Sequence, residues 1–285
     1  MTNEQRKQPV TVLGLGLMGV ALADALGRAG HPTTTWTRSN RAGPAGTTTA
    51  ASAADAVAAS PLVVVCVLDY RAAEDVLVGD LTGKTVVNLT TGTPEQGRET
   101  AERITARGAA YLDGGLMVNP EGIGDPTSLI LVSGSADAFQ EHRSTLDVLG
   151  DIRFLGADAG SAALYDTALL GIMYSAMTGY LQATALVGRE GVSAARFTPL
   201  ARDMLVGTAS FLDSIAEQVD SGEYASRSAR LDMQLSAAGH LIHAAQVRKV
   251  DTTLLEHVRS LMERAVADGH AGSDYAAVIE QLRQG

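Results

Sequence analysis

Short, continuous apolar runs mark the first half of the chain, and segments with helical spacing of apolar residues lie between them. Runs of this kind, without polar alternation, are typical of strands buried on both faces of a parallel sheet. The predicted strands are 10–15, 33–37, 62–68, 85–89, a strand that begins at Tyr111, 129–132 and 152–155. The alternation of strands and helices predicts a doubly wound α/β sheet, with the last strands open to antiparallel pairing.

The pattern changes at Asp158, where a proline-free stretch of small and apolar residues runs to Gly191. Apolar side chains surround this stretch on nearly every face, and Asp166 is the one charge between Asp158 and Arg189. The pattern predicts a single helix, about 45 Å long at 1.5 Å per residue. Beyond it no strand pattern is found, and amphipathic helices are predicted at 193–220, 228–247, 251–268 and 273–284.

These patterns divide the chain into three parts. They are an α/β domain at 1–157, a long interdomain helix at 158–191 and an all-α domain at 192–285. Four ordinary helices of one chain bury little of so long an apolar helix. A second copy of the chain could cover the rest of the apolar surface of this helix. We therefore expect an intertwined, domain-swapped homodimer.

Composition excludes some classes of binding partner and favours one cellular compartment. A net charge of −10 argues against nucleic acid and anionic membranes as partners, because both attract basic surfaces. The single cysteine, Cys66, excludes an intrachain disulfide and favours a reducing compartment. The polar N-terminus does not resemble a signal peptide, and no uncharged apolar run reaches the length of a membrane span. We therefore expect a cytoplasmic protein. His240 and His243 lack further matching ligands, so no metal site is predicted.

A glycine motif follows the first predicted strand and opens the first predicted helix. In a GxGxxG motif the first glycine allows a tight turn, the second lets backbone approach a pyrophosphate, and the third lets the helix pack on the strand. The helix N-terminus then offers free N–H groups to phosphates. Strand, turn, helix and second strand all stand in the expected order, which predicts a Rossmann-type dinucleotide site. The residues assigned to it are Gly14, Leu15, Gly16, Leu17 and Met18.

The end of the second strand selects the cofactor. NAD binders usually have an acidic residue there, whereas this chain has basic and polar residues and no carboxylate. Arg38 can pair with a 2′-phosphate, Ser39 and Asn40 can hydrogen-bond to it, and Arg41 adds positive charge. This favours NADPH, with a solvated basic turn as the alternative. Residues at or just after the ends of two further predicted strands complete the cofactor site, namely Leu68, Thr90 and Thr91.

Two polar side chains stand out on the long predicted helix. An isolated carboxylate in apolar surroundings, such as Asp166, must be paired, neutralised or used in chemistry. Tyr174 follows eight residues later, about 80° around the helix and roughly 12 Å along it, so both could line one groove. The alternative is that Asp166 is a structural carboxylate and Tyr174 a core residue.

The order of parts resembles the β-hydroxyacid dehydrogenase superfamily, of 6-phosphogluconate dehydrogenase type. Two departures matter: Leu164 occupies the place of the helix lysine of the hydroxyacid enzymes, and Asp113-Gly-Gly replaces their Ser-Gly-Gly. The segments LTTGTP and LYDTALLG, together with the helix tyrosine, instead resemble imine reductases and reductive aminases. That resemblance implies hydride transfer from NADPH to a cyclic imine carbon, giving a chiral amine.

The resemblance also implies site residues. Tyr174 and Asp166 match catalytic positions, and a tyrosine at the first is usual in S-selective enzymes. Thr91 stands where reductive aminases often have asparagine, a departure that bears on the coupling of ketones with amines. The implied substrate-pocket residues are Val118, Asn119, Leu170, Met173, Met233, Gln234 and His240. Two alternatives remain, an oxidoreductase acting on a small hydroxy acid and a non-catalytic NADPH-binding protein.

Overall fold

The computed structural model describes residues 7–226 and 229–284. The chain divides into two compact units, Met1–Ile172 and Met173–Gly285. The three-part division of the chain at 157/158 and 191/192 stays a prediction.

The first unit contains a sheet of eight strands with the order β3-β2-β1-β4-β5-β6-β7-β8. The strands through β6 are parallel, β7 runs antiparallel to β6, and β8 is parallel to β7. The predicted parallel sheet is therefore confirmed, and the antiparallel pairing left open for the last strands occurs between β6 and β7. The strands are β1 (Val10–Leu13), β2 (Thr33–Trp36), β3 (Thr48–Thr49), β4 (Leu62–Val65), β5 (Thr85–Asn88), β6 (Ala110–Leu116), β7 (Leu129–Gly134) and β8 (Asp151–Phe154).

Helices cover both faces of this sheet. They are α1 (Leu17–Arg28), α2 (Ala53–Ala58), α3 (Tyr70–Val76), α4 (Pro94–Ala106) and α5 (Ala136–Leu146). Alternate residues of each strand point to opposite faces, so the apolar runs supply two cores. Val64 joins the core under α1 and α5, whereas Val63 and Val65 join the core under α2, α3 and α4. Burial on both faces explains why the strands read as continuous apolar runs.

Several predicted strands were too long at their carboxyl ends. The run predicted as 62–68 ends as a strand at Val65, and Leu68 lies in an exposed loop before α3. Asp69 caps α3, a helix that the sequence did not predict, by accepting a hydrogen bond from the Ala72 backbone. The chain leaves the sheet here because this edge carries the connections to the helices, where ligands bind in such folds.

The long helix α6 runs from Ser161 to Gly188, three residues shorter at each end than the predicted 158–191. At its start, Asp158 is held outside the helix by Arg98, with 2.8 Å between Nη2 and Oδ2. At its end, Gly191 adopts a left-handed φ of 77°, and the Val192 N–H bonds to the Val187 carbonyl. Both ends are therefore set by side-chain and turn contacts that the apolar pattern does not encode.

The second unit is helical. Beyond α6 it contains α7 (Ala194–Ala209), α8 (Leu212–Ser221), α9 (Leu231–Val247), α10 (Thr253–Ala265) and α11 (Ile279–Leu282), with a π-helical turn at Val266–His270 and a 3-10 turn at Tyr275–Val278. The single helix predicted at 193–220 was wrong, because it is broken at residues 210–211, where the Ser210 hydroxyl bonds to the Gly207 carbonyl. The helix predicted at 251–268 ends at Ala265, and Gly269 has a φ of 97°.

Apolar burial in the second unit is incomplete. A small core joins α9, α10 and the 3-10 turn, but α7 buries none of its residues. Leu200, Met204 and Val206 remain about two-thirds exposed or more. In the described ranges, no helix is long and apolar enough to cross a lipid bilayer.

Candidate active site

Three glycines shape the turn between β1 and α1. Gly14 has a φ of 98°, and a Cβ there would lie 2.1 Å from the Cys66 carbonyl oxygen. A Cβ at Gly19 would lie 1.9 Å from the Gly14 carbonyl oxygen. Gly16 differs, because its Cβ would meet nothing within 4 Å. Gly14 and Gly19 are therefore required by packing, whereas the space at Gly16 is open for a ligand to approach the backbone.

A cavity of about 400 Å³ opens beside this turn. Seven of the predicted cofactor residues line it: Gly14, Leu15, Gly16, Leu17, Met18, Arg38 and Leu68. Its wall also contains residues that the sequence analysis did not assign, among them Trp36, Val67, Ala72 and Asp75. The cavity thus lies at the carboxyl ends of β1, β2 and β4.

The other predicted cofactor residues lie outside the cavity lining. Ser39, Asn40 and Arg41 are exposed on the turn after β2, next to Arg38, and Asn40 has a φ of 51°. Thr90 is buried and its hydroxyl accepts a hydrogen bond from the Val67 backbone, while Thr91 is exposed. Their assignment to the cofactor stays a prediction.

The residues present fit a phosphorylated dinucleotide. The backbone at Gly16 is unobstructed, α1 begins directly after it, and no side chain caps the first turn of α1. Free N–H groups at a helix start attract phosphate. Arg38 places a guanidinium at the end of β2, suited to a 2′-phosphate. Burial raises the pKa of the Cys66 thiol in the cavity wall to about 11, so this thiol stays neutral.

A second polar cluster lies within the same unit. Asn88, Asp113 and Ser133 occupy one row across β5, β6 and β7, because strand register pairs Asn88 with Asp113 and Asp113 with Ser133. We call these three residues the polar row. The Asp113 carboxylate oxygen Oδ1 accepts hydrogen bonds of 2.7 Å from the hydroxyls of both Tyr70 and Tyr111. Asn88 Nδ2 lies 3.1 Å from the Tyr111 hydroxyl and 3.5 Å from Asp113 Oδ1.

Burial dominates the electrostatics of this cluster. Asp113 is 1% exposed, and desolvation raises the pKa of its carboxyl to about 6 although the hydrogen bonds lower it. Burial and the Asp113 charge raise the pKa of Tyr70 and of Tyr111 far above the usual value, so both phenols remain donors. The oxygen Oδ2 of Asp113 is buried without a hydrogen-bond partner in the described part of the chain.

Asp166, the predicted catalytic carboxylate, lies against the same sheet. It is 3% exposed, and burial raises the pKa of its carboxyl. A Cβ at Gly115 of β6 would lie 2.8 Å from the Asp166 Cβ and 3.2 Å from its Oδ1. The start of α6 is fixed by Ser133, whose hydroxyl oxygen accepts from the Ala162 backbone at 2.9 Å and donates to the Ala159 carbonyl. Asp166 makes no hydrogen bond or ion pair with any residue of 7–226 or 229–284.

Tyr174 and most of the predicted substrate residues belong to the second unit. Tyr174 is 63% exposed on α6. Met233 and His240 are exposed on α9, where Gln234 donates to the Ala229 carbonyl at 2.7 Å. The predicted substrate residues thus divide between the units, with Val118, Asn119 and Leu170 in the first and Met173, Met233, Gln234 and His240 in the second.

No local sequence pattern pointed to the other residues around Asp113, which are Tyr70, Asn88, Tyr111 and Ser133. Asp113 does carry a signal in the sequence, because a carboxylate inside an otherwise apolar strand needs polar partners. The partners themselves carry no local signal, because Tyr70 and Asn88 lie 43 and 25 residues from Asp113. No group of three or more His, Cys, Asp or Glu residues in the described segments is arranged to hold a metal ion.

The sheet order, the glycine turn and the helical second half are those of a dinucleotide-binding protein. Residues 9–157 match the NAD-binding domain of 6-phosphogluconate dehydrogenase, and residues 158–284 match the family described as the C-terminal domain of NADPH-dependent reductive aminase-like proteins. The chain is 38% identical to an NADPH-dependent reductive aminase of Aspergillus oryzae over 287 residues, with 97% of each chain covered.

Solved structures agree with this match. A reductive aminase from Aspergillus terreus, in complex with NADPH and ethyl levulinate, is 41% identical with a TM-score of 0.92, covering 97% of this chain and 99% of that one. An imine reductase from Bacillus cereus is 32% identical with a TM-score of 0.87, covering 98% and 100%. The chain belongs to the family of NADPH-dependent imine reductases and reductive aminases. The predicted fold class, enzyme class and cofactor are confirmed at the level of this family.

Proposed function

We propose that this protein transfers hydride from NADPH to the carbon of a cyclic imine or iminium ion, releasing a chiral amine. The observation that carries the proposal is Asp166, a buried carboxyl on α6 that no described residue pairs or bonds. Leu164, where the hydroxyacid enzymes have a lysine base, is half exposed on the same helix and offers no base for an alcohol. A protonated imine needs little beyond orientation and electrostatic stabilisation.

The proposed cofactor-binding residues would hold and orient NADPH. The free backbone at Gly16 and the start of α1 would receive the pyrophosphate, and Arg38 the 2′-phosphate, aided by Ser39, Asn40 and Arg41. Leu68, Thr90 and Thr91 would border the nicotinamide half. When bound, NADPH supplies the hydride.

The proposed catalytic residues handle the proton. Asp166, whose carboxyl has a raised pKa, would supply a proton to nitrogen. The Tyr174 hydroxyl would donate a hydrogen bond to the substrate. The pocket around the imine is proposed to include Val118, Asn119, Leu170, Met173, Met233, Gln234 and His240, and the product to be of the S type. The same site would accept the imine formed from a ketone and an amine.

We further propose that the working protein is an intertwined homodimer in the cytoplasm. The exposed apolar side chains of α7 and the unburied faces of α6 support a second copy as their cover. Light scattering should give twice the chain mass of 29.6 kDa, about 59 kDa. A monomeric mass at micromolar concentration would contradict the dimer.

The reaction is tested by following NADPH consumption with 2-methyl-1-pyrroline, and NADP⁺ reduction with small hydroxy acids. We expect turnover of the imine only. Asp166→Asn and Tyr174→Phe should each lower kcat by about tenfold or more, while Tyr165→Phe, a half-exposed tyrosine on the same helix, is the matched control. Turnover of hydroxy acids alone would refute the proposed reaction, and tight NADPH binding without any turnover would favour a non-catalytic protein.

A further inference from the structure

Two carboxyl groups share one face of the sheet in the first unit. Asp113 and Gly115 are two residues apart on β6, so they face the same side with about 7 Å between their Cα atoms. Gly115 has no side chain, and the Asp166 carboxyl fills the space that one would occupy, 3.2 Å from the ideal Cβ position. Asp166 is therefore the neighbour of Asp113 on that face.

The surroundings of this pair contain donors but no cation. The groups that face Asp113 are Tyr70 from α3, Asn88 from β5, Tyr111 from β6, Ser133 from β7, the Gly97 backbone from α4 and Asp166 from α6. Asp166 in turn faces Gly115, Asp113 and Tyr70. Within 7–226 and 229–284, neither carboxyl has an ion pair with lysine, arginine or histidine.

The two carboxyls are unequal in their hydrogen bonds. Two phenol hydroxyls and the Asn88 amide stabilise the ionised form of Asp113, because hydrogen bonds to a carboxylate favour its charge. Asp166 has no such donors in the described chain. In a buried site without a cation, ionising both carboxyls costs more free energy than ionising one of them. The single charge of the pair therefore belongs on Asp113, and the single proton on Asp166.

We propose that Asp113 is a positioning residue for proton delivery, whose phenol-bound carboxylate makes the neighbouring Asp166 keep its proton in the resting enzyme. The proposal rests on the proposed function, in which Asp166 is the acid. The O–H bond of Asp166 breaks as an N–H bond forms on the substrate nitrogen, and a proton taken up from the bulk solvent restores the Asp166 carboxyl afterwards. The hydride is the one that the proposed reaction already supplies. Burial raises the pKa of both carboxyls, and the hydrogen bonds from Tyr70, Tyr111 and Asn88 lower the pKa of Asp113 alone.

The direct test is a titration of the full-length protein labelled with ¹³C at aspartate carboxyls. Asp166→Asn assigns the Asp166 resonance, and Asp113→Asn removes the neighbouring charge while keeping the side-chain shape. We expect the pKa of Asp166 to fall by about one unit in the Asp113→Asn protein. Ser133→Ala is the matched control, because it disturbs the same buried row and the start of α6 without changing charge.

An unchanged Asp166 pKa in Asp113→Asn would overturn the proposal, and so would an equal shift in Ser133→Ala, which would mark the effect as structural. Should Asp113→Asn fail to fold, Tyr111→Phe removes one of the two phenol donors and should give a smaller fall in the same direction.

The kinetic readout separates this proposal from the proposed function. In Asp113→Asn the basic limb of the pH profile of kcat/KM should move to lower pH by the same amount as the Asp166 pKa. If the pKa falls and the profile does not move, Asp166 is not the acid and the proton-delivery role is overturned. If the unaltered protein reduces no imine, the proposed reaction fails, while the titration still decides whether the two carboxyls are coupled.

Discussion

The glycine turn and the polar row lie in the same unit but are built in opposite ways. The turn is made of six consecutive residues, Gly14 to Gly19, and its functional feature is an open backbone. The polar row takes one residue from each of three strands, and its functional feature is a closed, desolvated charge at Asp113. We expect the turn to recognise a ligand by shape and backbone N–H groups, and the row to act through the charge on Asp113.

Because of this difference, the two sites should respond differently to single substitutions. In the turn, a Cβ would clash at Gly14 and Gly19 but would meet open space at Gly16. In the row, a substitution acts through the charge or position of a neighbour. Both statements can be tested with single substitutions.

The largest effect is expected at Gly14. Gly14→Ala combines a positive φ with a Cβ placed 2.1 Å from the Cys66 carbonyl oxygen, so it should destabilise the fold by about 3 kcal/mol or more. Gly16→Ala meets open space and should change the unfolding free energy by less than about 1 kcal/mol, yet weaken NADPH binding at least about tenfold. Urea unfolding and NADPH fluorescence titration measure the two quantities. Equal destabilisation by both substitutions would contradict the assignment of Gly16 to the ligand.

A smaller effect, on turnover and on thermal stability, is expected at Gly115. Gly115→Ala places a methyl group 2.8 Å from the Asp166 Cβ, which should displace the carboxyl and lower kcat/KM for an imine by roughly 100-fold. The double variant Gly115→Ala/Asp166→Gly removes the Asp166 Cβ together with the carboxyl, so it should regain part of the lost thermal stability without regaining activity. Full activity of Gly115→Ala would show that the position of Asp166 against β6 does not matter for the reaction.

The smallest effect is expected at the basic turn after β2. Arg38→Ala should raise the KM for NADPH by roughly tenfold and leave the KM for NADH nearly unchanged, because the 2′-phosphate loses its cation. Arg41→Ala is the comparison, since Arg41 is exposed and lies outside the cavity lining. If Arg41→Ala has the larger effect, the cavity does not locate the phosphate.

Local sequence patterns predicted much of the first unit. The apolar runs predicted the strands because burial on both faces demands apolar residues, and the motif predicted the turn because its glycines are contiguous. The predictions failed at element ends and at the break at residues 210–211 in the predicted helix 193–220. Those limits depend on side-chain caps and left-handed glycines, such as Asp69 and Gly191, whose effect is local and overridden easily.

The sequence by itself determined that an α/β sheet carries a dinucleotide turn and that a long apolar helix holds one carboxylate. Each of these features is written in neighbouring residues, so short-range periodicity reveals it. Only the tertiary structure decided that Asp166 fills the place of a side chain at Gly115 and that Asp113 is bonded by two phenols. Those contacts join residues up to 51 positions apart through strand register and helix packing, and register is a property of the assembled sheet rather than of any one strand.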